Sequence, residues 1–135
     1  MNKTTIITII FSILLFVSYT YAEEHTIQLI CKYTHTINED GSKCRKSGED
    51  LVTINYSDYG LAVIKKQGLE AMFIGTITDE EIHGKTKYKI QGTTIQQTIL
   101  IYRSTGDFEI TFKNIGSERG LTHYGTCKPL AEEKF

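Results

Sequence analysis

Apolar and polar residues alternate with a period of two along much of the chain. Four segments show this alternation, residues 26–33, 52–56, 82–90 and 107–113. Their apolar positions, which we expect to face a common core, are Ile27, Leu29, Cys31, Tyr33, Val52, Ile54, Tyr56, Ile82, Tyr88, Ile90, Phe108, Ile110 and Phe112. Because successive side chains of a strand point to opposite faces, the pattern predicts antiparallel strands with one buried and one solvated side.

Three further stretches, 61–65, 71–78 and 93–102, carry apolar residues on both faces. They fit strands that are covered on both sides, or strands that curl across the corner of a barrel. Turn-forming pairs such as Asp40-Gly41 and Gln91-Gly92 separate the segments. With no sustained helical periodicity after the first segment of the chain, we expect an all-β fold. It would be a single small antiparallel sandwich or partly open barrel of about eight strands.

The amino-terminal segment has a different pattern. Lys3 precedes an apolar run over residues 6–17, and small residues lead to Ala22. This order of charged, apolar and small residues predicts a signal peptide over residues 1–22 and a β domain over residues 23–135. The apolar run is short for a membrane span, which needs about 20 residues. We therefore expect export to the periplasm or secretion, with no stable membrane span after cleavage; an uncleaved anchor is the alternative.

Composition narrows the choice of partners. The chain has 15 Lys and Arg against 16 Asp and Glu, a formal net charge of −1, and removal of Lys3 with the signal peptide makes the domain slightly more acidic. A general nucleic-acid binder needs a strong positive field, which this domain lacks. We therefore expect no nucleic-acid partner and, among proteins, an envelope or extracellular one.

Three cysteines would enter an oxidising compartment, where one disulfide is expected and one thiol is left over. Cys31 lies on the apolar face of the first strand and Cys127 lies in the last segment. A bridge between them would join the two ends of the sheet and is the pairing we favour. Cys44, in a polar and basic loop, is either a free thiol or an alternative partner for Cys31.

The chemistry of catalysis is hard to find in this sequence. No two of the four histidines have the spacing that places two metal ligands on one strand or helix face. There is no Gly-x-Ser-x-Gly motif, and no glycine-rich phosphate loop. We therefore expect no catalytic residues, no metal site and no cofactor. An envelope hydrolase is disfavoured, and convergence of two or more of His35, His123 and nearby carboxylates in a cleft would revive it.

Lys85, Lys87 and Lys89 form a basic stripe on the solvated side of one predicted strand. This stripe is a candidate interaction surface for an acidic partner. The alternative is an ordinary solvated face, on which lysines also discourage pairing between sheet edges.

Two short motifs carry a resemblance. Arg103-Ser104-Thr105-Gly106 ends one strand, and Gly125-Thr126-Cys127 lies near the end of the chain. This ending resembles that of small uncharacterised exported bacterial proteins with an Arg-x-Thr-Gly strand end and a terminal Gly-x-Cys. The resemblance implies a bacterial envelope protein of small antiparallel β architecture, with Cys31 as the partner of the late cysteine. It brings no activity with it.

Periplasmic inhibitors of C-type lysozymes are similar in outline, with a signal peptide, a small barrel and early and late cysteines.

Since no catalytic constellation is evident, the sequence predicts a non-catalytic binding or interaction module of the cell envelope. The alternatives are a small-ligand carrier with a barrel cavity, for which Gly84 and Thr86 would leave room, and a periplasmic enzyme inhibitor.

Overall fold

The computed structural model describes residues 23–116 and 120–131, so the predicted signal peptide lies outside the described residues. Nine strands make up this part of the chain. They are β1 (Glu24–Ile37), β2 (Lys43–Arg45), β3 (Glu49–Ser57), β4 (Leu61–Lys66), β5 (Phe73–Ile77), β6 (Glu81–Ile90), β7 (Thr93–Tyr102), β8 (Asp107–Asn114) and β9 (Gly120–Pro129). No helix in residues 23–116 or 120–131 is long and apolar enough to cross a membrane.

Eight of the strands form a closed antiparallel barrel. β3 to β9 follow one another in the sheet, and β1 completes the ring by pairing with both β3 and β9. The short β2 pairs with the end of β1, beside the ring. The prediction of an all-β fold with about eight strands is confirmed, and the barrel is closed along the β1–β9 seam.

Closure of the barrel places the two cysteines of the predicted bridge opposite each other. Cys31 in β1 lies directly opposite Cys127 in β9, and the two form a disulfide across the seam. Both are buried, at 1% and 5% exposure. The predicted bridge is therefore confirmed, and Cys44 is a free, exposed cysteine on β2.

The barrel interior is filled with apolar side chains. Sixteen hydrophobic residues, drawn from β1 and from β3 to β9, are buried in one cluster. Nearly all of the predicted core positions lie within it or pack against it; Tyr88 is partly buried and Ile90, at the open end of β6, is 54% exposed. Gly84 faces this cluster too, but a methyl group added there would lie 2.8 Å from Ile64 Cδ1 and 3.0 Å from Phe73 Cβ. Side chains of neighbouring strands therefore occupy the room that the small residue leaves.

A bulge interrupts the alternation of β1. The register with β9 shifts between Tyr33 and His35, which allows Thr36 to be buried although it falls on the solvated parity of the strand. Backbone groups of the β2–β3 connection follow the bulge, since Tyr33 donates its N–H to Gly48 and Lys46 donates to Thr34. A bulge bends and twists its strand, and this one lies beside the loop after β2.

The two short motifs are held by hydrogen bonds to neighbouring parts of the barrel. The Arg103 guanidinium donates to the Thr78 carbonyl at 2.6 Å, which fastens the β7–β8 turn to the β5–β6 turn. Gly106 has a φ of 77° and accepts a hydrogen bond from the Cys127 N–H at 2.7 Å. Added at Gly106, a Cβ would lie 2.6 Å from the Cys127 carbonyl oxygen. Both motifs thus contribute hydrogen bonds that stabilise this fold.

Candidate functional site

The open end of the barrel holds a pocket of about 280 Å³. We call it the mouth; it is lined by Tyr33, Lys46, Ser47, Gly48, Glu49, Asp50, Lys66, Phe112 and His123. β1 and β9, the two strands of the seam, contribute Tyr33 and His123. The start of β3 and the ends of β4 and β8 complete the wall, and the loop after β2 forms the rim. Antiparallel pairing places these strand ends together, because each neighbouring strand runs in the reverse direction.

Asp50 is the centre of the polar contacts in the mouth. Its Oδ2 atom accepts a hydrogen bond from the Tyr33 hydroxyl at 2.6 Å and lies 3.5 Å from the Lys66 ammonium. Burial raises the pKa of Tyr33 well above its ordinary value, and the bond to Asp50 and its negative charge raise it further. The phenol is therefore a fixed, neutral donor, and Asp50 balances the charge of Lys66.

Lys46 is the cation that the mouth leaves without a carboxylate. Its Nζ atom lies 4.8 Å from the centre of the Tyr33 ring, a cation–π arrangement. Among the ion pairs of the described residues, none involves Lys46. A ring face attracts the ammonium but does not cancel its charge, so Lys46 keeps its capacity to bind an anion.

His123 forms the wall of the mouth next to the seam. Its Nδ1 atom is 2.6 Å from the Thr36 hydroxyl, and its ring packs edge-on against Tyr33 and Phe112. Burial, followed by the positive charges of Lys46 and Lys66, lowers the pKa of His123 from its ordinary 6.5 to about 4. The imidazole is thus neutral at neutral pH, and its low pKa reflects both partial burial and a locally positive potential.

An NMR titration of the His123 imidazole is expected to give a pKa near 4 instead of 6.5. The unfolded chain would take up this proton at higher pH than the folded one. His123 therefore stabilises the fold fully above about pH 6.5, and this contribution falls as the pH drops towards 4. In urea unfolding, His123→Gln should lose that part of the pH dependence, whereas His83→Gln, on the outer wall, should retain it. A measured pKa of 6.5 or higher would contradict the assignment.

Polar side chains are also buried in β6 and β7, next to the strand that carries Phe112 of the mouth. Gln97 on β7 pairs with Phe112 of β8, is 2% exposed and donates its amide to the Tyr88 hydroxyl. Its carbonyl oxygen is one of the few buried side-chain atoms of the described residues that lack a hydrogen-bond partner. Thr86, directly across the β6–β7 pair from Gln97, is buried beside it. The core of the barrel therefore contains a small polar group of side chains beside its apolar cluster.

The structure separates the sites that the sequence suggested. The Lys85, Lys87 and Lys89 side chains are exposed on the outer wall, where their partners across β7 are Thr98, Gln96 and Thr94, in that order. No described acidic residue pairs with them, and the stripe does not line the mouth. Its role as an interaction surface remains a prediction.

Cys44, the cysteine left over, also lies outside the mouth. Its Sγ atom accepts a hydrogen bond from the Asn38 amide at 3.1 Å, on the exposed β2 edge.

The mouth brings one histidine near a carboxylate, the arrangement named above for a hydrolase. The two candidate histidines do not converge, because His35 stacks on Tyr124 while His123 lines the mouth. Among the described residues no hydrogen bond joins His123 to Asp50 or Ser47, and His123 is bonded to Thr36 instead. A nucleophile needs a base within hydrogen-bond reach and a group that orients that base. The described hydrogen bonds of His123 do not form this arrangement.

The opposite end of the barrel carries two other features. A pocket of about 350 Å³ lies against β3, β4 and β5, with Leu61, Val63 and Ile74 on its apolar side. Nearby, Glu23, His25 and Asp58 bring one ligand atom each within 4.8 Å of one another. Sequence spacing missed this cluster because Asp58 comes from the β3–β4 turn and meets His25 only through strand pairing.

Comparisons of the chain with models of known families, with curated proteins and with solved structures found no match.

Proposed function

We propose that this chain is an exported, non-catalytic binding module whose mouth receives an anionic group, a carboxylate or a phosphate. The observation that carries the proposal is the convergence of Lys46, Lys66 and the Tyr33 hydroxyl at the open end of a barrel that is otherwise filled. The group would come from a small molecule or from the acidic side chain of a partner protein.

The charges in the mouth favour an anion although two carboxylates line it. Asp50 is already engaged by Tyr33 and Lys66, and Glu49 is exposed at the rim. Lys46 has no carboxylate partner and lies over a neutral ring. An incoming anion would contact Lys46 first and could also accept from the neutral imidazole of His123, gaining charge-assisted hydrogen bonds in a partly desolvated pocket.

The filled interior distinguishes the remaining alternatives. A carrier of a large apolar ligand needs a cavity inside the barrel, and the space at Gly84 is taken by Ile64 and Phe73. The mouth, at about 280 Å³, lies just below the usual range for small-molecule pockets and suits one small group. A periplasmic enzyme inhibitor is compatible with the same mouth if the enzyme offers an acidic side chain, and capture of such an enzyme would support that reading.

Export is part of this proposal. The pattern of residues 1–22 predicts a cleaved signal peptide, and the disulfide between Cys31 and Cys127 fits an oxidising compartment such as the periplasm or the exterior. Mass spectrometry of the exported protein tests this part: we expect a chain that begins at Glu23, and one that begins many residues earlier would contradict it.

Titration of the mature, oxidised protein with sodium phosphate and with sodium acetate, at constant ionic strength, tests the mouth. We expect saturable NMR shifts at His123 and at the amides of residues 46–50 for at least one of the two anions. Lys46→Met should weaken this binding about tenfold or more, since it removes a charge-assisted contact worth about 1.5–3 kcal/mol. Lys85→Met, an equal change of charge on the outer wall, is the matched control.

Shifts that rise linearly without saturation, or equal weakening by Lys46→Met and Lys85→Met, would contradict a specific mouth. The same two variants serve as baits for affinity capture from an envelope extract. A partner held by the wild type and by Lys85→Met but lost with Lys46→Met would bind at the mouth. A small molecule found by native mass spectrometry, with no captured protein, would favour the carrier.

A further inference from the structure

The amino-terminal end of β1 carries a side-chain cluster that the mouth does not use. His25 lies in the second position of the strand, and its Nε2 atom is 2.6 Å from Asp58 Oδ1 in the β3–β4 turn. The Glu23 carboxylate is within 4.8 Å of both. The His25 ring also stacks on Tyr56, with 5.0 Å between ring centres. This end of the barrel is opposite the mouth.

Removal of residues 1–22 would change the chemistry of this cluster. The mature chain would begin Glu23-Glu24-His25, with a free α-amino group two residues before an imidazole. An amine, the next two backbone amide nitrogens and the imidazole of the third residue can surround one ion through fused chelate rings. Four nitrogen donors in a plane suit Cu(II) and Ni(II), and Cu(II) binds most tightly among the divalent first-row metals.

We propose that the mature amino terminus, residues 23–25, is a site for a square-planar divalent cation, Cu(II) above all. The in-plane ligands are the Glu23 α-amine, the amide nitrogens of Glu24 and His25, and the His25 imidazole. This inference rests on the cleavage after Ala22 that is part of the proposed function.

The contact with Asp58 selects the imidazole nitrogen that the site needs. Closing a chelate ring with its own amide requires the His25 Nδ1 atom, which is the nitrogen nearer the backbone. Asp58 binds the other nitrogen, Nε2, and thereby fixes the tautomer and leaves Nδ1 free. A carboxylate that accepts from the distant nitrogen of a ligating histidine is the usual outer partner in protein metal sites.

Binding requires only a small change in the sheet. Successive amides of an extended strand point in opposite directions, so Glu24 and His25 must leave their pairing with Ser57 and Tyr56. These are the last pairs of the β1–β3 ladder, where strand ends open at little cost. Pairing resumes at Thr26, whose hydroxyl donates to the Asn55 amide oxygen at 2.9 Å. The barrel closure at Cys31 is not touched.

The proton and charge balance is simple. The amine gives up its proton on binding, each of the two amides gives up one, and these protons go to water; the copper keeps its oxidation state. The two deprotonated amides cancel the charge of the divalent ion. Glu23, Glu24 and Asp58 surround the site with carboxylates, which attract the free cation to this end of the barrel.

The test uses the protein beginning at Glu23, released from a fusion that leaves no residue before Glu23, and titrated with Cu(II) and with Ni(II). Residues 24–129 contain the complete barrel, so this form holds the whole fold. We expect one ion per chain, with the visible absorption band and the electron paramagnetic resonance spectrum of a planar four-nitrogen Cu(II) site. His25→Gln should abolish both signals, and Asp58→Asn should weaken the affinity about tenfold or more.

The matched control carries one additional glycine before Glu23, which keeps every side chain but moves the histidine to the fourth position. We expect it to lose the planar spectrum and most of the affinity. Equal binding by the extended form would show that the side-chain cluster alone holds the ion, and the proposal would be wrong. Absence of the planar spectrum in the Glu23 form would also overturn it. Because this form is made without export, cleavage elsewhere, seen in the exported protein, would refute the export step separately.

Discussion

Replacing Cys31 and Cys127 together by alanine is expected to lower the free energy of unfolding by about 4–5 kcal/mol. The two cysteines are 96 residues apart, and the chain-entropy model gives this value for a loop of roughly 100 residues. The bridge joins the two strands of the β1–β9 seam, so its loss lets these strands move apart freely in the unfolded chain. Small domains are stable by about 5–15 kcal/mol, which makes this a large share of the total.

Urea unfolding of the mature protein measures the effect, with Cys44→Ser as the control. Cys44 is exposed and unbridged, so Cys44→Ser is expected to leave the midpoint and slope of the unfolding curve nearly unchanged. A similar loss in both variants would mean that Cys44 takes part in the stabilising bridge, against the pairing in the structure.

Gly125→Ala is expected to cost about 3 kcal/mol or more, the upper end of what overpacking a core costs. Gly125 is buried in β9 opposite Tyr33, immediately before the bulge in β1. A Cβ at this position would overlap the Lys32 main-chain oxygen and lie 2.5 Å from a Phe108 ring atom. The strand pairing fixes that oxygen, so β1 and β9 would have to separate at the seam.

Gly84→Ala is the comparison that identifies the cause. A methyl group at Gly84 meets side-chain atoms of Ile64, Phe73 and Ile99 at 2.8–3.5 Å, and no main-chain atom within 4 Å is among its three nearest neighbours. Ile64 can change its side-chain angles, so we expect a loss of about 1–2 kcal/mol. Thermal unfolding of both variants measures the difference. An effect of Gly84→Ala as large as that of Gly125→Ala would rule out the main-chain overlap as the cause.

The alternation of apolar residues was enough to predict the strands and most of the core. Ile27, Leu29 and Cys31 are buried because a sheet has one inner face, and the sequence shows that face directly. The segment 93–102 was ambiguous because Leu100 is apolar but faces outwards. In the barrel, Ile99 and Ile101 are buried and Leu100 is partly covered on the outer wall. Local pattern cannot distinguish a covered outer position from a second core face.

The mouth could not be predicted from the same pattern. Lys46 and Lys66 look like ordinary solvated lysines in sequence, and their meeting depends on the β3–β4 pairing and on the bulge that redirects β1. A bulge adds one residue to one strand without a clear sequence signal, and so Thr36 falls on the unexpected side. One feature of the sequence did point to this region. Gln97 and His123 are polar residues at inward positions of β7 and β9, where the neighbouring inward positions are mostly apolar.

The closed ring sets a condition on the order of folding. β1 is made first and β9 last, yet each needs the other to complete its hydrogen bonds. For a chain that emerges from its amino terminus, Cys44 is presented to Cys31 long before Cys127 is available. In an oxidising compartment, a Cys31–Cys44 bridge would come within reach before the native one, and if it formed it would have to be exchanged after β9 arrives. Such a bridge would be resolved by thiol–disulfide exchange, which takes seconds to hours depending on the oxidant and the isomerase.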